Sequence, residues 1–184
     1  MAYSINDIRA NLRLGGARPT LFRVRLTTPA GFPGDLSTAE FMIQASSLPG
    51  STIAPIDVPY FGRKIRVAGD RTFEPWSVTV MNDEDFKVRH ALEQWHNRIN
   101  SLSGNLNTTG SASPTNYKTQ AEVQQFSKAG GAPIRTYRFY GLFPTEIAPI
   151  DVNWNDTDTI ETFQATFVYD WYEVVAPGKT GTLS

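Results

Sequence analysis

The chain has 184 residues, with 17 lysines and arginines against 18 aspartates and glutamates, a formal net charge of -1. This length predicts one domain, and the balanced charge provides no bulk attraction to nucleic acid or to an anionic membrane. Cysteine is absent, which excludes disulfide bonds, thiol catalysis and cysteine-ligated zinc. No apolar run reaches the ~18 residues of a membrane helix, so we expect neither a signal peptide nor a membrane anchor.

Residues 1 to about 19 lack a strong hydrophobic period and are predicted to form an N-terminal arm. After them, apolar and polar residues alternate in short runs separated by Pro, Gly, Asn and Asp. This pattern is typical of antiparallel strands with one buried face. We predict strands in the ranges 20–28, 41–46, 63–68, 76–82, 120–127, 134–142, 147–154 and 160–173.

One segment has a helical period instead. Apolar residues recur there at intervals of four and three, at Val88, Leu92, Trp95, Ile99 and Leu102. This stripe predicts an amphipathic helix from Asp83 to about Leu102, with Asn82 as its N-cap. The segment at about 101–117 is rich in Gly, Ser, Thr and Asn and is predicted to be a loop insertion. The last residues, about 176–184, are predicted to form a flexible tail.

The six residues IAPIDV occur twice, at 53–58 and at 147–152. One interpretation is that two structurally related strand pairs lie within one subunit. The plainer alternative is the independent use of a proline-kinked strand. Because successive side chains of a strand alternate between its faces, Asp57 and Asp151 fall opposite the apolar residues of their runs. We expect both carboxylates to point away from the core, toward a shared space.

Residues with catalytic potential are few. His90 and His96 lie six positions apart on the predicted helix, whereas metal ligands on one helix prefer spacings of three or four. No serine has the spacing of a nucleophile elbow, and the glycine pairs form no phosphate-binding loop. The sequence therefore predicts a protein that is not an enzyme and that has no metal site or cofactor.

Basic residues concentrate in the segment 62–71, GRKIRVAGDR. Beside Tyr60 and Phe61, these cations are compatible with a patch that stacks and binds single-stranded nucleic acid. The balanced total charge favours a contact between subunits instead, in which Asp70 and partner carboxylates pair with the cations.

The same region carries a family resemblance. The run RKIRVAGDRTFEPWSVTVMNDED (63–85) closely resembles the tail tube proteins of T-even-type contractile-tailed phages. Supporting matches are ARPTLFRVRL (17–26), SLPG (47–50) and GLFPTEIAPIDVNWNDTDTIETFQATFVYDWYE (141–173). The segments around 28–39 and 101–116 are longer than in that family, and an extra tail follows Glu173.

The resemblance implies a mainly β fold in a single domain, 1–184, with two packed antiparallel sheets and one flanking helix around 83–102. It implies a structural protein of the virion, assembled in the host cytoplasm. Hexameric rings would stack into the inner tail tube, hold the tape measure protein and conduct double-stranded DNA without binding it specifically. The other implied partners are the tail sheath, baseplate and tail terminator proteins.

Two sets of residues follow as hypotheses. A stacked tube needs a head-to-tail interface. The resemblance implies that it lies in the loop and hairpin at 48–71, with Arg63, Lys64, Asp70 and Arg71 as the predicted polar contacts. A conduit for DNA must not attract phosphates, and the predicted lumen-facing carboxylates are Asp57 and Asp151. The alternatives are a type VI secretion-like or baseplate tube protein and, from another class, a single-stranded nucleic-acid-binding β-barrel.

Overall fold

A computed structural model describes residues 5–12, 16–104, 106 and 113–175. The predicted tail, 176–184, lies outside the described residues, as do parts of the predicted arm and loop insertion. The strands are β1 (Phe22–Leu26), β2 (Ile43–Ser46), β3 (Ser51–Tyr60), β4 (Arg63–Phe73), β5 (Trp76–Met81), β6 (Thr119–Gln125), β7 (Arg135–Ile147), β8 (Thr162–Val168) and β9 (Trp171–Val175). The helices are α1 (Ile5–Asn11), α2 (Ala39–Met42) and α3 (Lys87–Ile99), with a 3-10 turn at Pro114–Asn116.

Two antiparallel sheets meet in the long strand β7. Its first half pairs with β6 and β9, and β1 extends this group, which we call sheet A. Its second half pairs with β8, followed by β5 and β2, which we call sheet B. Gly141, at φ +67°, lies where β7 passes from one sheet to the other. The predicted mainly β fold with two packed antiparallel sheets and one flanking helix is confirmed.

The core lies between the inner faces of the two sheets and α3. Trp76 of sheet B stacks on Phe139 of sheet A with ring centroids 4.7 Å apart, and Phe167 lies 5.4 Å from Trp76. Helix α3 contributes Trp95, which is fully buried and donates its indole N–H to the Tyr117 carbonyl at 2.9 Å. In most strands of sheets A and B, the alternation seen in the sequence therefore corresponds to one buried face per strand.

Helix α3 begins later than predicted. Its first residue is Lys87, because Phe86 adopts a left-handed backbone conformation (φ 52°) that no regular helix continues through. The cap is provided by Asp83, whose carboxylate accepts the Lys87 N–H at 3.0 Å, so the assignment of Asn82 as N-cap is wrong. Leu102 lies beyond the helix and is 91% exposed. No helix of the described residues has the length and apolar character needed to cross a bilayer.

Three predicted strands differ from the structure. The run 160–173 forms two strands, β8 in sheet B and β9 in sheet A, with Tyr169 and Asp170 between them. The run 41–46 is a strand only from Ile43, because Ala39–Met42 forms a helical turn that leaves Phe41 exposed. The run 147–154 leaves the sheet after Ile147. The two IAPIDV copies therefore differ in structure, one lying in β3 and the other in a loop, so the proposed pair of related strand pairs is wrong.

Candidate assembly surfaces

Strands β3 and β4 form a hairpin that extends from the body of the subunit. Within the described residues they pair only with each other, joined by a tight turn at Phe61 and Gly62 with φ of 44° and 78°. Every residue of β3 is exposed. Since an isolated two-stranded hairpin is marginally stable in water, this arrangement indicates a surface that becomes covered by another molecule.

The two faces of the hairpin differ in chemistry. Cross-strand pairs on one face are Ile56 with Val67 and Val58 with Ile65, and Tyr60 continues this face toward the tip. Each of these five side chains is 45% to 63% exposed. We call this surface the apolar hairpin face, and exposed apolar side chains of this density mark interaction sites.

The opposite face is charged. Asp57 accepts a hydrogen bond from the Lys64 ammonium at 3.2 Å and lies 3.5 Å from the Arg66 guanidinium. Among the described residues, no salt bridge involves Arg63 near the tip or Arg71 near the base. These two cations are therefore available to a partner.

A bulge in β4 positions Asp70, another of the predicted contact residues. The register slips between Ile53 and Pro55, where Gly69 and Asp70 together face one position of β3. A Cβ on Gly69 would lie 2.5 Å from the Ala54 carbonyl oxygen, so the close approach requires glycine. The structure thus places all four predicted contact residues on one hairpin, and their contact with another copy stays a prediction.

Asp151 lies far from Asp57, in the loop between β7 and β8. All of residues 151–160 are exposed, and Trp154 is exposed over its whole surface. In sheet B, Trp76 pairs with Phe167 at the hairpin end and Met81 pairs with Thr162 at the loop end. Hairpin and loop therefore leave sheet B at opposite ends, and one subunit does not bring the two aspartates into a shared space.

The outer faces of the sheets also differ. Sheet A carries ion pairs, with Arg138 2.7 Å from Glu122 and both Arg23 and Arg25 on Glu40 at 3.0 and 3.2 Å. The outer face of sheet B is formed mainly by small or uncharged residues, including Ser77, Thr79, Thr162, Gln164 and Thr166. The alternation of these residues with the core was visible in the sequence, but their place in one sheet depends on strand pairing that no local pattern gives.

A family model for phage tail tube proteins matches residues 17–175. The chain belongs to the phage tail tube protein family. Tail tube protein gp19 of Enterobacteria phage T4 is 36% identical over 170 residues, which cover 92% of this chain and 99% of that protein. The family of this relative and the share of the chain that it covers agree with the resemblance found in the sequence.

Solved structures share the fold of this tail tube family member. A chain of the anti-feeding prophage tube-terminating cap superposes with a TM-score of 0.64 at 15% identity, covering 88% of this chain and 91% of that one. A chain of the sheath-tube complex of an extracellular contractile injection system, PVC, gives 0.61 at 16% identity, covering 95% and 99%. At such identities the likeness concerns the fold alone.

Some titratable side chains of the described residues have shifted pKa values or partners within the fold. In the part of the chain that is described, no three His, Asp or Glu side chains lie close enough to hold a metal ion. Burial raises the pKa of Tyr169 to about 12 and lowers the pKa of His96, but each of these groups packs within the fold. The Lys118 ammonium bonds both Asp170 oxygens, at 2.7 and 2.8 Å, so this pair is engaged internally.

Proposed function

We infer that this chain is a structural subunit of the inner tube of a contractile phage tail. Its membership of the tail tube family supports this function, as does its likeness over nearly the whole length of gp19. The observation that carries the inference is the β3–β4 hairpin, a long amphipathic element that buries almost nothing within its own subunit. A protein that works alone gains nothing from such an element, whereas a polymer covers it at every copy.

Ring closure follows from the open edges of the sheets. Sheet B ends at β2 on one side and at the second half of β7 on the other. Within the described residues, both of these edge segments are paired on one side only. Six copies that joined these edges would form one closed barrel without exposed strands. A lone sheet of this size encloses only its own side chains, so a passage for duplex DNA requires several copies.

The outer face of sheet B, which is mainly uncharged although Glu146 pairs with Thr166 on it, suits the wall of that passage. Basic walls release counterions on contact with phosphates and so hold DNA, whereas hydroxyl and amide side chains provide no such attraction. We therefore place Ser77, Thr79, Gln164 and Thr166 toward the lumen, with the charged face of sheet A outward. Asp57 and Asp151 stay candidates for lumen-facing carboxylates, and because they lie at opposite ends of sheet B we place them at the two rims of this lining.

The remaining partners follow from the tube itself. The rings stack into a tube that encloses the tape measure protein and later passes double-stranded DNA, with the sheath outside and the baseplate and terminator proteins at its ends. The protein acts in the virion after assembly in the host cytoplasm. Its proposed role is structural, without a reaction of its own.

Sedimentation of the purified chain over a range of concentrations tests this function. We expect six-copy rings and longer hollow polymers, visible in negative stain, and a 20.4 kDa monomer at every concentration would contradict the proposal. A labelled oligonucleotide provides the second arm. No shift at low salt is expected, whereas a salt-sensitive shift would favour the nucleic-acid-binding β-barrel.

A further inference from the structure

We propose that the loop 148–161 of one copy is the docking surface for the β3–β4 hairpin of the copy stacked on it. The proposal rests on the tube function and adds to it the acceptor surface that the hairpin needs. Three independent properties of the loop carry it: its position in the subunit, its exposed apolar side chains and its charge.

Position determines the type of contact. Hairpin and loop leave opposite ends of sheet B, separated by the six residues of β5, a distance of about 17 Å along the strand. Contact between unlike surfaces at opposite ends of a subunit is heterologous. When repeated, it translates each copy along the strand direction and produces an open stack rather than a closed dimer.

The loop provides an apolar anchor for the apolar hairpin face. Asn153 forms a turn by accepting the Asn155 N–H on its side chain at 3.1 Å and the Asp156 N–H on its carbonyl at 3.2 Å. This turn holds Trp154 at the apex, fully exposed, with Val152 at 81% and Ile160 at 70% exposure nearby in the chain. Tryptophan is enriched among interface hot spots, which lie in well-packed pockets that exclude water.

The charges of the two surfaces are complementary. Residues 51–73 of the hairpin have four cations against two carboxylates, a net charge of +2, in a chain whose total is -1. Residues 148–161 have four carboxylates and no cation. Arg63 and Arg71 of the hairpin, and Asp156 and Asp158 of the loop, form no salt bridge among the described residues. Opposite potentials of this kind fix which surfaces meet and in which orientation.

Cross-linking tests the contact in a chain that contains no native cysteine. The variants Tyr60→Cys in the hairpin and Asn155→Cys in the loop are mixed, assembled and treated with a short bismaleimide. We expect linked pairs in the mixture and none in either variant alone. The matched control replaces Asn155→Cys with Lys128→Cys, an exposed position in the turn between β6 and β7, at the opposite end of β7 from the loop.

The outcomes separate this contact from the tube function. Tubes that form without the Tyr60–Asn155 link, or with a link to position 128 instead, would overturn the docking proposal and leave the tube function standing. Absence of any polymer from the wild-type chain would instead overturn the tube function.

Energetics provides a second readout that does not depend on cysteine placement. Trp154→Ala is expected to raise the concentration needed for tube assembly about 30-fold, the usual effect of truncating a hot spot, whereas Leu102→Ala is expected to leave it unchanged. The charge reversals R63E/R71E and D156K/D158K should each block stacking. A mixture of the two variants should stack again, because the hairpin of each variant then meets a loop of opposite charge on the other. Failure of the mixture to restore any stacking, together with wild-type assembly by Trp154→Ala, would overturn the proposal.

Discussion

The sandwich body, formed by sheets A and B with α3, and the β3–β4 hairpin are both made of antiparallel strands with apolar and polar residues. The body buries its apolar side chains, whereas the hairpin exposes them. In the body, Trp76, Phe139 and Phe167 are at most 1% exposed. In the hairpin, Ile65 and Val67 are 55% and 51% exposed, although they alternate with the polar residues Lys64 and Arg66. The body is therefore complete within one chain, and the hairpin is completed by assembly.

The hairpin also carries features that limit unwanted pairing. Pro55 and Pro59 lie in β3 and remove backbone donors from a strand that is an edge in the isolated subunit. Arg63 and Lys64 place positive charge beside the tip, which opposes edge-to-edge aggregation. The difference between the two regions teaches that an exposed apolar face, when its edges are blocked in this way, is reserved for a specific partner.

The largest effect is expected from a tryptophan of the body. Trp76→Ala should lower the free energy of unfolding by about 3–5 kcal/mol, because it empties the centre of the core and removes the indole hydrogen bond to the Ser47 carbonyl at 3.0 Å. Urea unfolding of the monomer measures it. The matched control is Trp154→Ala, which should change this free energy by less than about 0.5 kcal/mol. Equal losses from both variants would abolish the distinction between body and assembly surface.

A charge on the apolar hairpin face should weaken assembly and leave the stability of the monomer unchanged. Ile65→Asp is expected to leave monomer unfolding within about 0.5 kcal/mol of wild type and to weaken assembly by about 2 kcal/mol or more, since the carboxylate would be buried without a partner. The assembly threshold, measured by sedimentation, checks it against Leu102→Asp, an exposed residue outside the hairpin. Normal tubes from Ile65→Asp would show that this face stays in water.

Two glycines with positive φ sharpen the comparison at smaller energies. Gly141→Ala should cost about 1–2 kcal/mol of monomer stability, because alanine is strained at φ +67° and its Cβ would collide with the Asp170 side chain. Gly62→Ala meets similar strain at φ +78° in open space at the hairpin turn, and it should not change urea unfolding of the body. A loss of monomer stability with Gly62→Ala as large as that with Gly141→Ala would mean that hairpin and body unfold as one unit.

The smallest effect concerns pH and is confined to the body. Burial lowers the pKa of His96 from its usual 6.5, and the Nε2 atom of this ring is buried without a hydrogen-bond partner. Below about pH 6.5 the unfolded chain therefore binds a proton that the native state accepts less readily, so stability falls as pH decreases. Urea unfolding at pH 7 and pH 5 should show a smaller decline for His96→Gln than for wild type. Equal declines would remove His96 as the cause.

The hydrophobic patterns of the sequence predicted the individual strands and the buried side of the helix. The alternation around Phe163 and Phe167 gave β8, and the stripe of Val88, Leu92 and Trp95 gave the buried side of α3. The start of that helix was predicted wrongly because Phe86 has a left-handed backbone conformation, and phenylalanine is not a residue type that indicates one.

The repeated IAPIDV segment marks the limit of such patterns. Its first copy is a strand because β4, immediately after the turn, supplies hydrogen bonds along its length. Its second copy is followed by NWNDTDT (153–159), which provides no partner strand, and the chain leaves the sheet after Ile147. For the same reason the acidic loop around Trp154 was expected to be a strand and was not recognised as a candidate surface.

Electron cryomicroscopy of the purified, concentrated protein tests the central claim most directly. A reconstruction is expected to contain six-fold rings in axial stacks, in which the apolar hairpin face is covered by a neighbouring copy and sheet B lines an open channel. A uniform population of single subunits, or a polymer in which the hairpins project into solvent, would contradict the account.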